Sequence, residues 1–153
     1  MKYLCLTYTD RVVLYGPWNG RMYHPKTIEW DRKLKGICDR IDYWLEEHYG
    51  GMYPLRPNRP ERGMTANPEM DGLFNVQTLF TPGYTSETGR GYLVEIEMST
   101  LDDVDKNIKK EIQDIVLIKF KNELKREFPE RILDIGMDGN MIKIWGDLNL
   151  GSL

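Results

Sequence analysis

The chain has 153 residues, of which 41% are hydrophobic and 29% charged, with a net charge of −3. That is the size and mix of one ordinary globular domain, long enough to bury a core without help from a disulfide or a metal. The mild acidity (pI about 5.5) argues against a dedicated nucleic-acid binder, whose footprint is a basic domain.

Residues 1–52 read as a ββα unit. Lys2–Thr9 and Arg11–Tyr15 are rich in Val, Tyr, Leu and Thr, which suit a pleated strand, and Asp10 stands near the turn. Gly16, Pro17, Asn19 and Gly20 break the pattern. A helix is predicted from about Thr27 to Tyr49. Trp30, Leu34, Ile37, Cys38, Ile41, Trp44 and Leu45 recur in steps that make one apolar stripe. Asp31, Lys35, Asp39, Asp42, Glu46 and Glu47 fall on the other side. Gly50 and Gly51 stop the helix, because Gly accepts the left-handed conformation past a helix end.

Residues 53–72 form an irregular loop. The run from Tyr53 to Pro68 holds four of the eight prolines, and proline removes a backbone donor, so no regular element fits. Arg56, Arg59 and Arg62 recur every third residue. In a polyproline II conformation, with three residues per turn, their guanidinium groups would line one edge, where planar forks suit phosphate or carboxylate. Glu61, Glu69 and Asp71 are close enough for an ordered loop held by internal ion pairs to be the competing reading.

Residues 73–153 read as a ββαββ unit. Leu73–Thr81 alternates so that Phe74, Val76, Thr78 and Phe80 share a face. Residues 83–91 make a Gly-rich loop, and Tyr92–Met98 is the next strand. Ser99 or Thr100 is the expected cap of a second helix that Pro129 ends near Phe128. On that helix Leu101, Val104, Ile108, Ile112 and Ile115 form one stripe, and Val116, Leu117, Phe120, Leu124 and Phe128 another. The two lie roughly 160° apart. The pattern predicts that the two halves bury opposite faces or that the helix bends near Leu117. One face would be covered by the N-terminal stretch or, in a homo-oligomer, by a second copy. Ile132–Met137 and Met141–Trp145 make a hairpin around Asp138-Gly139. The expected fold class is therefore a single two-layer α+β domain over 1–153, mainly antiparallel, in the order β-β-α-β-β-α-β-β.

No catalytic signature accompanies this pattern. Cys5 and Cys38 read as buried free thiols, which suits a cytoplasmic protein. No leader and no run approaching about 18 apolar residues is visible, so no membrane contact is expected. The two histidines have no metal-ligand spacing, and neither metal nor cofactor is expected. His48 is placed beside the core at a helix end. Asp102, Asp103 and Asp105 read as charges at a helix start. The loop Gly83–Gly91 is the nearest feature to a phosphate cradle, with Ser86, Thr85 and Thr88 as hydroxyls and Arg90 as charge. It lacks the Gly-Lys-Ser/Thr ending of a P-loop and joins strand to strand. The leading expectation is a non-enzymatic binding or interaction domain that presents Arg56, Arg59 and Arg62 to an anionic or protein partner. The alternative is a small enzyme or ligand-binding protein for a phosphorylated or nucleotide-like compound, using Ser86 and Arg90, for which only Glu87 or His48 offers a base.

Overall fold

The structure is a computed structural model that describes residues 25–148. The two strands expected before Gly16 and the thiol of Cys5 lie outside the described residues. The chain divides into two compact units within its first helix, after Leu34. In the first unit the described part is the start of that helix, where Trp30 and Leu34 are buried and Lys33 pairs with Glu29 at 3.8 Å.

The helix is α1 (Pro25–Tyr49). In the second unit it continues with Ile37, Cys38, Ile41 and Leu45 buried, the stripe its spacing predicts. Trp44 is half-buried. Two residues depart from expectation. Asp42, assigned to the polar face, is only 1% exposed. His48 is exposed rather than packed on the core; its Nδ1 donates to the Trp44 carbonyl at 2.8 Å and its ring stacks on the Trp44 indole. Burial pushes the Cys38 thiol up to about 12, so it is an inert core thiol.

Four strands follow: β1 (Phe74–Thr81), β2 (Gly91–Met98), β3 (Leu133–Asp138) and β4 (Met141–Gly146), with α2 (Lys106–Glu127) between β2 and β3. They form one antiparallel sheet in the order β1-β2-β4-β3. The α+β class and the order of these elements are those the sequence predicts. β1 and β2 pair along their full lengths, from Phe74↔Met98 to Thr81↔Gly91. β2 and β4 pair only over Tyr92–Val94. Phe74, Val76, Val94, Ile142 and Ile144 are buried, and the registers put them on one face.

α2 begins later than expected, at Lys106, with Asp105 rather than Ser99 or Thr100 as its cap; the Asp105 carboxylate accepts from the Asn107 N–H at 2.7 Å. Ser99 cannot start a helix because the end of the sheet uses its backbone. Its N–H donates to Leu73 O at 2.6 Å and its carbonyl accepts from Arg56 N–H at 2.8 Å. The expected conflict of two stripes disappears with the shorter helix. Leu101 and Val104 precede it, Leu101 being 73% exposed, and Ile112, Val116, Phe120 and Leu124 are buried in steps of four. Within the second unit α1 and α2 run antiparallel. Arg40 pairs with Glu123 and Glu127, Lys119 lies over the Trp44 ring, and Tyr49 donates to Glu111. No helix among the described residues is long and apolar enough to cross a membrane.

Candidate functional site

The Pro/Arg loop does not hold one extended helix. Asn58 takes a positive φ of 68°, and the Arg59 N–H turns back to the Arg56 carbonyl. The three guanidinium groups therefore part company. Arg62 is clamped between α1 and the loop, pairing with Asp42, with Asp71 at 2.9 Å and with Glu46 at 3.2 Å. It also lies 5.5 Å from the Tyr43 ring centre. Arg59 donates to the carbonyls of Gly72 at 2.9 Å and Asp71 at 3.0 Å. Arg56 is exposed. Its Nε reaches Thr100 O at 3.3 Å, and its terminal nitrogens make no hydrogen bond among the described residues.

This arrangement covers the start of the outer edge of β1. The N–H groups of Leu73 and Phe74 donate to the Glu46 carboxylate, the Val76 N–H donates to Asp42, and Arg59 and Arg62 approach the Phe74 carbonyl. Gly72 makes the approach possible: its φ is +71°, and a Cβ would sit 2.7 Å from Arg62 Nε and 2.8 Å from the Glu46 carboxyl carbon. Burial raises the Asp42 carboxyl to about 7, an effect that Arg62 and the Val76 N–H only partly offset. At Asp71 burial pushes the same way but loses. The N–H and hydroxyl of Thr65, with Arg62 and the Gly63 N–H, hold that carboxyl below its usual range.

The Gly-rich loop solves a different local problem. Lys143 sits on the face of β4 opposite Ile142 and Ile144 and is fully buried. Its ammonium donates to Ser86 Oγ at 2.8 Å, Thr88 Oγ1 at 2.7 Å, the Gly89 carbonyl, and Asp138 at 3.3 Å. Ser86 Oγ donates to Asp138 at 2.7 Å. The donations from Ser86 and Lys143 hold the Asp138 carboxyl below its usual range. Gly83 has φ +67°, and a Cβ there would overlap the Gly89 carbonyl, so the loop closes tightly on itself. The Ser86 hydroxyl is thus engaged with a cation and an anion, while Arg90 is exposed. The two loops meet opposite ends of β1, about 25 Å apart for eight residues, so the five candidate residues do not share one pocket.

A third region was not visible in the sequence. A cleft of about 820 Å³ opens beside β2 and the first turns of α2, lined among others by Arg56, Ile96, Glu97, Lys106, Lys109 and Ile112. The pairing of β2 with β4 stops at Val94, because the β3–β4 hairpin turns at Asp138–Met141. Glu95–Met98 therefore keep one edge that no strand pairs among the described residues. Glu97, Lys106 and Lys109 are exposed and make no ion pair among the described residues. No group of three or more His, Cys, Asp or Glu side chains is placed to hold a metal ion among the described residues.

The described residues thus form an α+β fold in which side chains cover the start of one strand edge and another edge, unpaired among those residues, borders a cleft. It belongs to a family described as "Uncharacterised protein", whose model matches residues 25–146. A relative from Borreliella burgdorferi, also described as an uncharacterized protein, is 46% identical over 121 residues, which is 79% of this chain and 94% of the relative. No solved structure matches the chain. These comparisons attach no activity to the fold, and the function is unknown.

Proposed function

We propose that this chain is a non-enzymatic interaction domain, acting in the cytoplasm, whose contact surface is the cleft beside β2, with Arg56 as the contact that the Pro/Arg loop contributes to a protein partner. The supporting observation is the different fate of the three arginines. Arg59 and Arg62 are used up inside the molecule, whereas Arg56 lines the cleft beside Lys106 and Lys109. Unpaired guanidinium and ammonium groups on a cleft wall suit carboxylates of a partner. The free Cys38 thiol fits a reducing compartment. The Gly-rich loop supports an enzyme less well, since Ser86 and Lys143 bind each other and Asp138.

The test is retention on immobilised polyglutamate at low salt. Arg56→Ala and Lys109→Ala should elute earlier with unchanged melting, while Arg59→Ala should melt earlier and, below its melting point, be retained normally. Retention that ignores Arg56 and Lys109 would contradict the reading.

A further inference from the structure

We draw no further inference here: the strongest candidate, the cleft between β2 and the first turns of α2, belongs to the site already described, and its walls carry lysines and carboxylates alike, so nothing in the structure shows what would occupy it.

Discussion

At the start of the outer edge of β1, peptide groups that no strand pairs among the described residues are met by side chains: Glu46 takes the Leu73 and Phe74 N–H groups, Asp42 takes that of Val76, and Arg59 and Arg62 approach the Phe74 carbonyl. Along the second half of β2, Glu95–Met98 have no such cover among the described residues, and a cleft lies beside them. Both segments belong to the same antiparallel pair, so intrinsic strand preference does not separate them. The difference lies in what is packed outside. The β1 edge is closed with charged groups that are themselves costly to bury, which works only because each carboxylate has a donor and Arg62 has three carboxylates. An edge closed this way is committed to structure; one left open beside a cleft is available for recognition.

The largest expected effect comes from breaking the closed edge. Arg62→Ala leaves Asp42, Glu46 and Asp71 facing one another, and should cost roughly 3 kcal/mol or more in denaturant unfolding, as removal of one partner of a buried ion pair does. A loss below about 1 kcal/mol would mean that the three carboxylates are already well solvated and that the seal is weak.

Lys143→Met tests the other buried cation and should cost less, about 1–3 kcal/mol, because most acceptors left unsatisfied are neutral and the part-exposed Asp138 carboxylate keeps the Ser86 hydroxyl. Amides of residues 83–89 should exchange faster in this variant, while those of Leu73 and Val76 keep their protection. Equal loosening of both regions would show that the two ends of the sheet are not independent.

The pH dependence sharpens the comparison further. Asp42 has its carboxyl raised from 3.8 to about 7 in the fold, so the folded state holds a proton that the unfolded chain releases. Its contribution is fully present below 3.8 and is lost as pH rises through about 7. Asp71, held below its usual range, acts oppositely, and its contribution is lost only on acidification. Asp42→Asn should therefore flatten the fall in melting temperature on going from mildly acidic to neutral pH. An unchanged slope in that variant would assign the titration elsewhere. The smallest effect is that of Arg56→Ala, which should stay within about 0.5 kcal/mol of the parent because the side chain is exposed.

Much of the architecture was legible because it rests on periodicity. The α1 stripe, the alternation of Phe74, Val76, Thr78 and Phe80, and the Asp138-Gly139 hairpin all follow from spacing that local geometry enforces. The start of α2 was not, since Ser99 and Thr100 are good caps in isolation and only the pairing of Ser99 with Leu73 and Arg56 disqualifies them. The regular spacing of Arg56, Arg59 and Arg62 pointed to a loop that matters, but spacing alone carries no direction, and the positive φ at Asn58 sends the groups to different places. Asp42 on a polar helix face reads as solvent-facing, and nothing in the spacing singles out Lys143. Each is buried by a loop distant in sequence, which no local pattern reports. The cleft depends on where the β2–β4 ladder stops, a register fact that the sequence does not display.

Native-state hydrogen exchange on the full chain compares the two edges most directly. The Leu73, Phe74 and Val76 amides should be protected close to the global unfolding limit and lose that protection in Arg62→Ala, while the outward amides within Glu95–Met98 exchange quickly in both proteins. Outward β2 amides as protected as those of β1, or β1 amides indifferent to the loss of Arg62, would contradict the division of the sheet into a sealed edge and an open one.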